Sequence, residues 1–323
     1  MRGRFLSAIL AVTALGLVTA SCTREHVSTE GGKEYYRVGV TLLTKSHPFY
    51  QELEAAMEET AAENGVKLSI QSAEFDMKDQ QAQIENFITQ RMDALVVCPV
   101  DSDTIGGAIR RANEAGVPVF TADIAANSGD VVCHIASDNV QGGRLAGLYM
   151  AKLLNGKGKI IIIDHPKVMS VRDRTKGFVE EIAKHAGIKI IARPPGDGER
   201  VTSMNVMETM LQSHPEIDGV FAINDSTALG VLAALRQAKR DDVIVVGYDG
   251  DPEAREEILK GGPLKADAVQ YPRKIGSTTI EMVAKYLKGE KVPEMVPVDV
   301  GIIDKASLET QKDGAFGGKR HGA

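Results

Sequence analysis

Tryptophan is absent from the 323 residues, and aromatic side chains of all kinds make up only 5%. Each aromatic near a candidate site is therefore more informative than usual, although most serve a core. Cysteine is scarce too. Cys22, Cys98 and Cys133 show no metal-type spacing, and the last two sit in apolar, strand-like runs that read as buried free thiols. Positive charge is not in excess: 38 Lys and Arg against 44 Asp and Glu leave a net charge of -6. That argues against a nucleic-acid binder, which usually presents a basic face. Catalytic signatures are missing as well, with no GxSxG elbow, P-loop, HExxH, CxxC or GxGxxG after the first strand. The seven histidines are scattered. DGDPE (249–253) lacks the later Gly and Glu of a calcium loop, and DSD (101–103) fits a helix start better than a metal site. The economical reading is a non-catalytic binding cleft with no cofactor and no metal.

Long apolar runs are absent after the first twenty residues. Arg2 and Arg4 precede an apolar stretch from Phe5 to Ala20, followed by Ser21 and Cys22. A charged start, apolar middle and small-residue end make a secretory signal, and the run is at the short end for a membrane span. Residues 1–22 are read as a signal peptide, and the mature protein as exported. Cys22 stands where a bacterial lipoprotein carries its lipidated cysteine, with Thr19 where an aliphatic residue is expected; Val18-Thr19-Ala20 is alternatively an ordinary signal-peptidase site. Residues 23–35 are polar and aperiodic and read as a linker. The Gly- and Lys-rich segment 307–323 reads as a disordered tail.

What is present is a repeating strand and helix pattern, in a chain long enough for two domains. Arg37–Leu43 begins it, and Pro48 opens a helix with Phe49, Leu53, Met57 and Ala61 on one side and Gly65 as its stop. Strands near 67–72, 94–98, 117–122 and 131–136 alternate with helices near 78–91 and 102–115. HIASDNVQGGRLAG (134–147) ends one series and starts a second, its glycines loosening the first turn of the new helix. Strands near 159–163, 188–192, 218–223, 243–247 and 266–270 follow, with helices near 139–155, 171–186, 200–213, 225–238 and 273–288. This is an α/β chain of two similar lobes, each a parallel sheet flanked by helices.

A weak internal repeat supports the pairing. MDALVVCPVDSDTIGGAI (92–109) reads like IDGVFAINDSTALGVLAA (217–234), and VPVFTAD and VIVVGYD end at Asp123 and Asp249. Ligands of open α/β sheets bind at the carboxyl ends of strands. There the sequence offers Phe49, Tyr50, Asp123, Asn139, Arg174, Asn224, Tyr248, Asp249 and Gln270. Carboxylates accept from hydroxyls, Arg and amides donate, and ring faces cover C–H patches, a set suited to a small neutral polyol. Each has a plainer alternative: helix caps for the two Asp and Asn224, core for Phe49, a solvated helix charge for Arg174.

The motifs PVDSDTIGGAIRRANEAGVPV (99–119), HIASDNVQGG (134–143), NVMETMLQSHPEIDGVFAINDSTALG (205–230) and DDVIVVGYDG (241–250) resemble the periplasmic ribose-binding proteins, within the type I periplasmic binding proteins. The resemblance runs from about Arg37 to Ala306. It implies hinge crossings near Ser137–Asn139, Gln270–Tyr271 and Asp299–Gly301, hence lobes of 36–137 plus 271–299 and 138–270 plus 300–306. It also implies a monomer in the periplasm, or outside the cytoplasmic membrane, that closes on a sugar and delivers it to an ABC permease. The same cleft in a chemoreceptor, a sensor kinase system or a receptor for a furanose-like quorum signal is the alternative. The family's sugar contacts fall on Phe49, Asp123, Asn139, Arg174, Asn224, Asp249 and Gln270, with Tyr50 and Tyr248 in place of Phe. His47 and Gln83 replace contacting Asn residues, Ile124 replaces an Arg, and Gly198 falls where an aromatic wall stands. The implied pocket is a reshaped one.

Overall fold

The structure, a computed structural model, describes residues 28–30 and 33–313. The leader with Cys22, and residues 314–323, lie outside the described residues. The chain first lays down β1 (Ser28–Glu30), β2 (Lys33–Leu42), α1 (Pro48–Asn64), β3 (Val66–Ser72), α2 (Met77–Thr89), β4 (Ala94–Val97), α3 (Gly106–Glu114), β5 (Val119–Ala122) and β6 (His134–Ser137). It crosses to a second sheet through α4 (Asn139–Leu153). There it forms β7 (Lys157–Ile163), α5 (Met169–Ile182), β8 (Gly187–Ala192), α6 (Arg200–Ser213), β9 (Gly219–Ala222), α7 (Asp225–Ala238), β10 (Ile244–Asp249), α8 (Pro252–Lys260) and β11 (Leu264–Val269). It returns with α9 (Pro272–Leu287) and β12 (Met295–Val298), and crosses a third time to β13 (Gly301–Asp304) and α10 (Lys305–Asp313).

The sheets run β1-β2-β4-β5-β6-β12, with β3 also on β2, and β13-β11-β10-β9-β7-β8. Every pairing among the described strands is parallel except β1 with β2 and β13 with β11. β4, β5 and β9 are buried at every residue, as strands covered by helices on both faces must be. The internal repeat has a structural counterpart. Asp93 Oδ2 accepts from the Arg37 amide at 2.7 Å, and Asp218 Oδ2 accepts from the Lys159 amide at 2.6 Å. The same lock joins two neighbouring strands in each lobe.

Several expectations need correction. Lys33–Tyr35 already belongs to β2 and pairs with Ser28–Glu30, so the second half of the presumed linker is strand. The overlooked signal is Gly31-Gly32 between two short polar runs, a hairpin pattern. Residues 307–313 are helical, and Leu308 is buried, so the tail expected from 307 is ordered at least to 313. Helix α8 escapes notice in the sequence because its nine residues bury only Ala254, Glu257 and Ile258. β12 escapes because Pro297 interrupts it, which an edge strand tolerates.

The glycines of 134–147 do more than loosen a turn. A Cβ on Gly143 would sit 1.9 Å from the Arg174 carbonyl oxygen, and one on Gly177 would sit 2.0 Å from that of Val140. Helices α4 and α5 therefore touch backbone to backbone. On the cleft's rim the lobes also meet directly. The Ser102 amide donates to Lys167 O at 3.0 Å, the Met169 amide donates to Ser102 Oγ at 3.0 Å, and Arg172 grips Asp103 with two bonds of 3.1 and 2.5 Å.

Gly177→Ala forces the two helices apart, and overpacking of this kind costs about 1–3 kcal/mol. Thermal unfolding should show a clear loss of stability. Gly107→Ala, whose Cβ meets nothing nearer than Arg111 Nη1 at 3.7 Å, should leave the melt unchanged or slightly raised.

Candidate ligand-binding site

The carboxyl ends of both sheets face one another across a cavity between the lobes. From the first lobe, the β2–α1 connection brings His47, Phe49 and Tyr50, and the end of β5 brings Asp123 and Ile124. From the second come Arg174 on α5, Asn224 at the start of α7, Asp249 at the end of β10 and Gly198, with Gln270 at a crossing. Asp123 and Asp249 both hold positive φ, 63° and 116°. That is uncommon for a residue with a Cβ, and it persists only where the surroundings over-determine it. Neither serves merely as a helix cap.

Arg174 is the centre of the floor. Only 4% of it is exposed, so it is no solvated helix charge. Its Nε donates to Asn139 Oδ1 at 2.8 Å and its Nη1 to the Ile223 carbonyl at 2.8 Å. Nη1 also lies 3.6 Å from Asp249 Oδ1, and the guanidinium stacks on the Tyr248 ring at 4.0 Å. Gln270 Nε2 donates to Asp249 Oδ1 at 2.7 Å. Burial pushes the Asp249 carboxyl up to about 7, with Arg174 pulling it back. Across the cavity, Tyr50 donates its hydroxyl to Asp123 Oδ2 at 2.7 Å, while the buried Oδ1 has no partner among the described residues. Burial raises Asp123 too, against the pull of Arg174 and Tyr50.

The walls are less polar. Phe49 meets Tyr50 edge to face at 5.2 Å, and His47 meets Phe75 likewise at 5.6 Å. Burial lowers His47 to about 4 and also lowers His165, so both imidazoles are neutral at neutral pH. Gly198, at φ 72°, leaves open the space beside His165 and Asn224, and a Cβ there would lie 3.2 Å from His165 Nδ1.

Eight of the expected residues line this cavity: His47, Phe49, Tyr50, Asp123, Arg174, Asn224, Asp249 and Gln270. Asn224 keeps its plainer role as well, capping α7 through the Thr227 amide while donating to Gly198 O. Three others stand elsewhere. Asn139 and Tyr248 sit beneath Arg174, and the Tyr248 hydroxyl donates to Asn139 Oδ1 at 3.3 Å. Gln83 does not reach the cavity, because its amide is spent on Thr41 Oγ1 and the Ser72 carbonyl. The sequence reading overlooks Phe75, His165, Val168, Val171 and Ile223 among the lining residues. Phe75, His165 and Ile223 each follow within three residues of a strand end, so a stricter use of the strand-end rule finds them.

Comparison with known proteins agrees with this arrangement. A family model described as a periplasmic binding protein domain matches residues 38–291. The chain is similar to the ribose import binding protein of Salmonella typhimurium, 37% identical over 269 residues, which are 83% of this chain and 90% of that one. It is similar to the xylitol-binding protein of Mycolicibacterium smegmatis, 32% identical over 289 residues, or 89% and 82% of the two chains. A solved ABC transporter solute binding protein from Bacillus halodurans with bound myo-inositol superposes with a TM-score of 0.80 at 30% identity, covering 87% of this chain and 98% of that one. With two lobes, three crossings and a polar floor between facing strand ends, this chain belongs to the periplasmic binding protein domain family.

Proposed function

We propose that this protein is exported, captures an uncharged monosaccharide or polyol between its lobes, and delivers it to an ABC importer in the cytoplasmic membrane. One observation carries the ligand class. Among the described residues Arg174 is the only Lys or Arg lining the cavity, and it is already engaged by Asn139, Ile223 and Asp249. A sugar acid or phosphate would meet Asp123 and Asp249 with no free cation to receive it. Hydroxyls fit instead: they donate to the unpartnered Asp123 Oδ1 and to Asp249, and accept from the remaining guanidinium N–H groups. Phe49 offers a face for a C–H patch. The relatives named for ribose and xylitol, and the neighbour holding myo-inositol, support the same neutral class. A site that one chain completes supports action as a monomer.

A thermal-shift screen against pentoses, hexoses, polyols and sugar acids tests this. A ligand at about 100 times its dissociation constant stabilises the folded state by about 2.7 kcal/mol, a shift of a few degrees. Shifts with neutral sugars and none with sugar acids are expected. A sugar acid as the sole stabiliser would overturn the ligand class. Asp249→Ala should weaken binding of the sugar so found by about 2–5 kcal/mol, measured by calorimetry.

The Asp249 carboxyl also fixes a pH dependence. A hydroxyl donated to it favours the ionised form, so binding expels its proton wherever the free protein still holds one. Affinity should therefore rise between about pH 6 and about pH 8 and then level off. Titrations in buffers of different ionisation heat should show proton release at the lower pH, and a pH-independent affinity would remove Asp249 from the contact.

A further inference from the structure

Two carboxyls lie behind the Asp249 turn with no cation bonded to either among the described residues. Asp225 opens α7 and Asp267 lies in mid-β11, and both are 0% exposed. They converge over Gly247: a Cβ there would sit 2.1 Å from Asp267 Oδ1 and 3.3 Å from Asp225 Oδ1. If both were ionised, Asp225 Oδ1 and both Asp267 oxygens would be buried without a well-formed hydrogen bond among the described residues, the Gly247 backbone near Asp267 giving only partial relief. Two buried like charges in contact are unfavourable on Coulomb and desolvation grounds alike, so such a pair retains a proton. A proton on one carboxyl turns the other into its acceptor.

The pair is tied to the site. Asp225 Oδ2 accepts from the Asp251 amide at 2.6 Å, and Arg255 Nε donates to Gly250 O at 2.6 Å, so the 249–251 turn is gripped from both sides. That turn carries Asp249 at its positive φ.

We propose that Asp225 and Asp267 share one proton, and that the shared proton is a positioning device: it keeps Asp225 seated on the Asp251 amide and so holds the Asp249 turn. Its bearing on ligand capture rests on the role given to Asp249 above, but the proton and the turn can be tested without ligand. The groups facing the pair are Asp249 and Asp251 after β10 and Arg255 on α8, with Glu253 facing Asp251. Opposite Asp267, β13 presents Ile303. Burial raises both members of the pair above the ordinary carboxylate range, and each opposes ionisation of its neighbours. A group raised in the folded state stabilises below its unfolded pKa, and that stability is lost as pH rises through the folded value.

The test compares the wild type with Asp225→Asn and with the double variant Asp225→Asn, Asp267→Asn. In the double variant two amides can pair with no titratable proton, and the side-chain oxygen at position 225 can still accept from the Asp251 amide. Thermal unfolding is followed from about pH 6 to about pH 9, where the wild type should lose a few degrees relative to the double variant. Asp249 and Asp251 titrate in both proteins, so the difference reports the pair together with its electrostatic effect on those two neighbours. Parallel curves would overturn the shared proton. Amide exchange read by NMR tests the turn: at about pH 9 the Asp251 amide should exchange at least about tenfold faster in the wild type than in the double variant, and equally at about pH 6. Equal exchange at both pH values would overturn the positioning role. If the double variant does not fold, Asp225→Asn is read in its place, since the amide it introduces donates to Asp267 at any pH.

Discussion

A guanidinium buried like that of Arg174 is costly unless its charge is balanced and its N–H groups find acceptors. The rest of the site follows from supplying part of these and leaving the remaining N–H groups to the cavity. Asn139 and the Ile223 carbonyl take the hydrogen bonds, Asp249 balances the charge, and the Tyr248 ring covers the face. These partners come from separate elements, so Arg174 ties α4, α5, β9 and β10 together at their cleft ends. The tie requires α5 to lie close against α4, and Gly143 and Gly177 permit that. A packing feature in the helices thus sets where the cation of the cavity stands.

The two lobes solve the same problem twice. In each, an Asp at a strand's start locks onto a neighbouring strand, and about thirty residues later a second Asp ends a strand with positive φ. The first pair, Asp93 and Asp218, is structural. The second, Asp123 and Asp249, is aimed across the cleft. Their supports differ: among the described residues Tyr50 alone bonds the Asp123 carboxyl, whereas Gln270 and Arg174 both engage that of Asp249. Asp123 therefore keeps an oxygen free for hydroxyls, and Asp249 is the more firmly held of the two.

Much of this is legible in the sequence, for identifiable reasons. Fully apolar runs such as those of β4 and β9 are the mark of strands covered on both faces, and they reveal the architecture. Asp123 and Asp249 stand out because each ends such a run. Edge elements are less legible: β8 is read, but β12 contains a proline and β13 lacks a fully apolar run. The site is harder to read than the fold. Residue type cannot separate Asn139 and Tyr248, which serve Arg174 from beneath, from residues that face the cavity, because the distinction lies in side-chain direction. Gln83 looks like a contact by resemblance, yet Thr41 and Ser72 claim its amide. His165 and Phe75 go unnoticed because each lies two or three residues past its strand's end, where the strand-end rule must be extended to reach them.

The rim contacts of Ser102 and Asp103 touch no part of the floor. They join the lobes directly, so the lobes separate on that side only when Ser102 parts from Lys167 and Met169 and Asp103 from Arg172. The cavity determines what is held, and the rim determines for how long. Residues outside the pocket can thus lengthen or shorten residence time without altering which molecule the floor selects, and in a carrier that must unload its cargo, residence time governs throughput.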